Sequence, residues 1–172
     1  MAVNAARPLI VGPSTGPEAP FPLRLEGKVI HGYGRGGKQL GIPTANIPVD
    51  EKLNDVEEGV YFGWASLRLQ SQAGFKIYPM VMSIGNNPVF GNKEQSAEAN
   101  ILHDFTDDFY GAEMRLLILG FVREMIKYPT MDELIEGINL DRQVARNSLD
   151  REAWALREMG KGTLDGSWLV RE

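Results

Sequence analysis

The residues with the most chemical content sit together in one run, Gly32-Tyr33-Gly34-Arg35-Gly36-Gly37-Lys38-Gln39-Leu40-Gly41-Ile42-Pro43-Thr44-Ala45-Asn46. Gly32, Gly34 and Gly37 satisfy G-x-G-x-x-G, the dinucleotide fingerprint, and Gly32 to Lys38 fits the start of a P-loop. Both motifs work by presenting phosphate to a helix that begins at once. Here Gly41 and Pro43 follow within six residues of Gly37, too soon for a stable helix. In the P-loop reading, Gln39 also stands where a Ser or Thr should hold Mg²⁺. What remains is a loop of exposed N–H groups carrying Arg35 and Lys38, suited to wrapping a polyphosphate without a helix dipole. A surface loop with no ligand is also glycine-rich, but two cations among five glycines favour an anion.

Thr44 and Asn46 extend the theme. A hydroxyl and an amide oxygen two residues apart fall on one side of an extended segment. Mg²⁺ takes few protein ligands and completes its shell with water and phosphate oxygens, so this pair suits a Mg–nucleotide complex. By itself the tetrapeptide Pro43-Thr44-Ala45-Asn46 is an ordinary turn composition, and its position beside the glycine loop gives it meaning. Glu98 and His103, taken alone, read as a solvated strand residue and a structural histidine.

These groups need a scaffold. Residues 1–22 hold five of the ten prolines, so this arm is neither helix nor central strand. It is expected to be extended, whether laid on the surface or disordered. Leu23, Leu25, Val29 and Ile30 mark a first strand interrupted at Gly27. Val60–Leu69 and Phe75–Ile84 read as a hairpin joined through Gln70–Gly74. Ala97, Ala99, Ile101 and His103 alternate with Glu98, Asn100 and Leu102, and Glu113–Val122 is a further strand. Short strands between turn signals point to an antiparallel barrel or sandwich over 23–128. Helices follow over 130–160. Thr130 and Glu133 form a capping-box pattern. Met131, Leu134, Ile135 and Ile138 make an apolar stripe, and Val144, Ser148 and Leu149 suggest a second short helix from about Asp141.

Composition narrows the class. The 172 residues make one domain with a real core, 23–172 behind the arm. There is no cysteine, which excludes disulfides and thiolate metal sites and fits a reducing compartment. A net charge of −5 with no basic block argues against nucleic acid. No apolar run reaches the roughly 18 residues of a membrane span. The start of the chain lacks the pattern of a signal peptide. The composition therefore reads as a cytosolic enzyme or binding domain acting on small molecules. A monomer is expected, and a cytoplasmic location with mitochondrial association left open.

The fifteen-residue run resembles the nucleotide loop of the eukaryotic-type riboflavin kinases. The likeness continues through Gly59-Val60-Tyr61-Phe62-Gly63-Trp64-Ala65, Ser83-Ile84-Gly85-Asn86-Asn87-Pro88 and Asp107-Asp108-Phe109-Tyr110-Gly111. These segments occur in the family's order over about residues 23 to 150. The resemblance implies a six-stranded antiparallel Greek-key barrel with helices packed outside. It implies Mg²⁺-dependent transfer of the ATP γ-phosphate to riboflavin, giving FMN and ADP. Gly32, Gly34, Gly37, Lys38, Gly41, Thr44 and Tyr110 would contact ATP, and Thr44 and Asn46 would hold the metal. Glu98 in the pattern Glu-x-x-Ile-x-His would be the base, and Ile101, His103 and Arg123 would line the flavin site. Asn86, Ala99 and Asn100 depart from the family's pattern. A flavin- or nucleotide-holding barrel without catalysis would need neither Glu98 nor the metal pair. A kinase for a close riboflavin analogue would look the same. Shielding ATP from water would further require the loops 32–41 and 104–111 to close over bound ligands.

Overall fold

The structure, a computed structural model, describes residues 4–30, 44–48, 55–69, 73–86, 95–105 and 109–172. Six strands are formed: β1 (Leu23–Lys28), β2 (Ala45–Ile47), β3 (Gly59–Arg68), β4 (Lys76–Asn86), β5 (Gln95–Ile101) and β6 (Glu113–Arg123). Their order is β1-β6-β3-β4-β5-β2, and every pairing is antiparallel. Three consecutive neighbours, β3, β4 and β5, with β6 returning beside β3, constitute a Greek key. The sheet rolls until its two edges meet. Ile30, two residues past β1, bridges Asn46 of β2, and its N–H donates to the Asn46 carbonyl at 2.8 Å.

Alternation sends one set of side chains inward. Leu25, Ala45, Ile47, Met80, Met82, Ile84, Ala97, Ala99, Ile101, Leu116 and Ile118 fill the barrel. Gly27 does not interrupt β1, contrary to the sequence expectation. It lies inside the strand, where a Cβ would stand 2.6 Å from the Ile47 methyl, so its bare backbone is what lets β1 and β2 approach.

A second apolar cluster forms outside the barrel. Val60, Phe62, Trp64, Leu117 and Leu119 from β3 and β6 pack on Ala145, Leu149, Trp154, Leu156 and Leu169. The covering elements are α1 (Met131–Leu149), a 3-10 turn (Arg157–Met159) and the short α2 (Ser167–Val170). Thr130 caps α1 by accepting the Glu133 N–H at 3.1 Å. The two helices expected around Asp141 are one continuous helix. Asp141 is not a cap but a buried acid in its middle, held by two arginines. The deepest face of α1 is accordingly its C-terminal half, with Val144, Ala145, Ser148 and Leu149, while Met131 of the expected stripe is exposed.

The described part of the N-terminal arm is a strap on α1. Asn4 donates to the Glu133 carbonyl, the Val11 N–H donates to Ser148 Oγ, and Asn147 donates to the Leu9 carbonyl. Arg151 donates to the Val11 and Gly12 carbonyls, and the Trp154 indole N–H donates to the Pro13 carbonyl. Prolines keep the strap from forming its own backbone ladder, so its polar groups are met by helix side chains instead. Among the described residues no helix is long and apolar enough to cross a membrane.

Candidate active site

The register across the sheet builds the site. Asn46 of β2 lies directly opposite Glu98 of β5, and Glu98 in turn lies opposite Ser83 of β4. Ser83 pairs with Val60 of β3, and Val60 with Arg123 at the end of β6. One transverse row therefore reads Asn46, Glu98, Ser83, Val60, Arg123. Directly opposed residues in antiparallel strands project to the same face, with Cβ atoms about 5 Å apart. Ala45, Ile47, Ala97 and Ala99 point into the barrel, which places Asn46 and Glu98 on its outer face.

This juxtaposition brings together the residues expected to serve as metal ligand and base. Glu98 is half-buried and Asn46 is 9% exposed, so the amide is ordered by its surroundings while the carboxylate keeps access to a ligand. Thr44, also half-buried, stands two residues before Asn46, and the inward Ala45 between them leaves both on the outer side. Two neutral oxygens beside one carboxylate are a sparse donor set, appropriate for Mg²⁺ carried in with phosphate oxygens. Among the described residues no cluster of three or more His, Asp or Glu competes as a metal site.

Gly32, Gly34, Gly37, Lys38 and Gly41 lie outside the described residues. The two chain ends that bound their loop are nevertheless fixed, because Ile30 and Asn46 form the bridge that closes the barrel. Tyr110, 40% exposed, precedes Gly111, whose N–H donates to the Val29 carbonyl at 2.7 Å. Tyr110 is thus near the residue from which the glycine loop departs. Gly111 itself has φ +83°, which suits a residue without Cβ.

The three expected flavin-lining residues do not converge in this structure. Ile101 is buried inside the barrel, on the opposite face from Glu98. His103 lies past the end of β5 and is exposed, its ring 4.8 Å from Tyr78 and 4.7 Å from Phe105. Phe105 continues the series to Phe109 at 4.8 Å. Arg123 shares the outer row with Glu98, but its guanidinium is taken up by Asp141: Nε donates to Oδ1 and Nη2 to Oδ2, both at 2.8 Å. Nη1 donates to the Glu124 carbonyl, and the guanidinium lies 5.6 Å from the centre of the Tyr128 ring. Burial raises the Tyr128 hydroxyl above the ordinary tyrosine range, Arg123 acting against that shift, so the phenol stays neutral and can donate to Asn4 Oδ1.

Two neighbours of the expected site residues escaped the sequence reading. Ser83 flanks Glu98 on the side away from Asn46, and nothing local marks it out. Asp141 carried a faint signal, a lone acid on the helix face that also bears Val144 and Leu149.

Comparison with known proteins accords with this geometry. A family model described as Flavokinase: Riboflavin kinase matches residues 19–149. The chain is 52% identical to a riboflavin kinase of Pyricularia oryzae, the alignment covering 96% of this chain and 95% of the relative. It is 43% identical to a riboflavin kinase of Neurospora crassa over 96% of this chain and 97% of the relative. Among solved structures, riboflavin kinase from Trypanosoma brucei matches with a TM-score of 0.63 at 30% identity, covering 83% of this chain and 92% of that one.

Proposed function

The chain belongs to the riboflavin kinase family, and on that premise we propose how its residues carry out the reaction. The activity is transfer of a phosphoryl group from ATP to riboflavin, giving FMN and ADP. The acceptor is the terminal hydroxyl of the ribityl chain, and Glu98 is its general base. Phosphoryl transfer asks for positioning and charge neutralisation more than covalent help. Glu98 orients the alcohol and takes its proton as the new P–O bond forms and the bond to the ADP leaving oxygen breaks.

Thr44 and Asn46 would hold Mg²⁺, which when bound supplies neutralisation of charge on the phosphate oxygens. Gly32, Gly34, Gly37, Lys38 and Gly41 would wrap the phosphates, with Lys38 as the cation, and Tyr110 would border the nucleotide. The observation that carries this reading is the register that sets Asn46 against Glu98. Directly opposed residues of antiparallel strands have Cβ atoms about 5 Å apart, which supports a metal-side oxygen and a base serving one transferring group. Ile101, His103 and Arg123 remain proposed flavin-side residues, of which Arg123 alone stands at the acceptor end of the row.

The catalytic unit is proposed to be residues 23–172, with 1–22 serving as the strap. All the groups invoked come from one copy of the chain, which supports action as a monomer, and a cytoplasmic location suits its soluble substrates. Sedimentation at assay concentration checks the first point. The function itself is tested by following FMN formation from riboflavin and MgATP, with a metal-free control. No FMN from the wild-type chain would sink the assignment.

A further inference from the structure

We propose that Asp141 and Arg7 are positioning residues for the riboflavin side of the active site, acting through Arg123. The proposal rests on the reading of Glu98 and Asn46 given above, and it concerns the other end of their row.

In-line transfer puts the donor and the body of the acceptor on opposite sides of the moving phosphoryl group. The glycine loop leaves and rejoins the barrel at Ile30 and Thr44, so the donor belongs to the Asn46 side of Glu98. The remainder of riboflavin, its ribityl chain and flat ring system, therefore lies on the Ser83 side of Glu98, toward the end of the row at Arg123, while Val60 between them is buried under the helical cover. Arg123 stands three strands from Glu98, roughly 14 Å at ordinary strand spacing, which is within the reach of such a molecule.

Arg123 does not have a free choice of position. The Asp141 carboxylate, 3% exposed, binds it by a two-pronged contact, and Asp141 Oδ1 also accepts Arg7 Nη2 at 2.6 Å. Arg7 is itself anchored by Nη1 to the Gly137 carbonyl. Three chain segments, strap, barrel end and helix, thus meet at one buried carboxylate. Nearby, Tyr128 and Asn4 hold strap and helix start together through the 3.1 Å bond between their side chains and the Asn4 bond to Glu133. The two guanidiniums occupy separate lone pairs of one buried carboxylate, which therefore has little freedom to turn. The second arginine locks the rotamer of the acid, and the acid fixes the plane of Arg123.

The test is steady-state kinetics of Asp141→Asn, with thermal melting to establish that the variant is folded at assay temperature. The expected result is a riboflavin KM raised about ten-fold, the scale of one lost charge-assisted bond, with kcat and the MgATP KM within about two-fold of wild type. Arg7→Lys, which keeps the charge, should restore most of what Arg7→Met loses. If Asp141→Asn does not fold, the Arg7→Met/Asp141→Asn double variant carries the test, because it releases Arg123 while keeping the net charge of the cluster. An unchanged riboflavin KM, or equal rises in both KM values, overturns the proposal. Failure of the Glu98 reading would look different: it would appear in kcat of Glu98→Gln, with these KM values untouched.

Discussion

The outer surface of the barrel has two halves that use the same strand geometry for opposite ends. On β3 and β6 the outward residues are Val60, Phe62, Trp64, Leu117 and Leu119, sealed beneath α1, Trp154 and α2. On β2 and β5 the outward residues are Asn46, Glu98 and Asn100. The first half buries apolar area and supplies stability, since each large side chain removed from water contributes about 1.5–3 kcal/mol. In the second half Asn46 and Asn100 are buried and the half-buried Glu98 is the polar group that keeps access to a ligand. Ser83 and Val60, adjacent in the same row, mark the border between the two. The proposed base is thereby set beside a rigid, covered sheet without being buried by it, the arrangement that precise positioning requires.

That contrast can be broken from either side. Glu98→Gln should lower kcat by about 10²–10⁴-fold while leaving the melting temperature and ligand binding near wild type. A variant with wild-type turnover at saturating substrates removes Glu98 from its role. Trp154→Ala should do the reverse. The indole stacks on Phe62 at 5.4 Å, is almost fully buried and bonds to the strap, so its loss should cost about 3–5 kcal/mol in denaturant unfolding. A cost below about 1 kcal/mol would show that the covered half is not the stabilising one.

Smaller effects sharpen the boundary. Thr44→Val keeps the shape and deletes the hydroxyl, and should raise the Mg²⁺ concentration for half-maximal turnover about ten-fold. Superimposable Mg²⁺ titrations for variant and wild type would take Thr44 out of the metal site. Least affected should be Glu172→Gln, which breaks the exposed 2.7 Å pair with Arg68. Unfolding free energy should move by less than about 1 kcal/mol, and turnover not at all.

Much of the scaffold was legible because it is written in local periodicity. Ala97, Ala99 and Ile101 alternate with Glu98 and Asn100, and the strand lies as that pattern requires. Thr130 and Glu133 mark the start of α1. Reading failed where a residue's meaning depends on a distant partner. Asp141 looks like a helix start in sequence because acids favour such positions. In the fold it is a helix interior residue neutralised by Arg7 and Arg123. Gly27 looks like a strand break, and only the approach of Ile47 shows that the strand needs it.

Glu98 was marked only by the family resemblance; by itself the sequence determined five of the six strands, the capped start of α1, the phosphate-suited loop and the candidate residues Thr44 and Asn46. Each of those signals is carried by neighbours within a few positions, where backbone preference and side-chain spacing act. Only the tertiary structure decided that Asn46 faces Glu98 and that Arg123 shares their row. It also decided that a proline-rich arm lies along α1 and reaches the same cluster through Arg7. Those pairings join residues from 15 positions apart, Ser83 and Glu98, to 134, Arg7 and Asp141. A strand's partner and register are set by burying its whole inner face at once, so no local pattern can specify them.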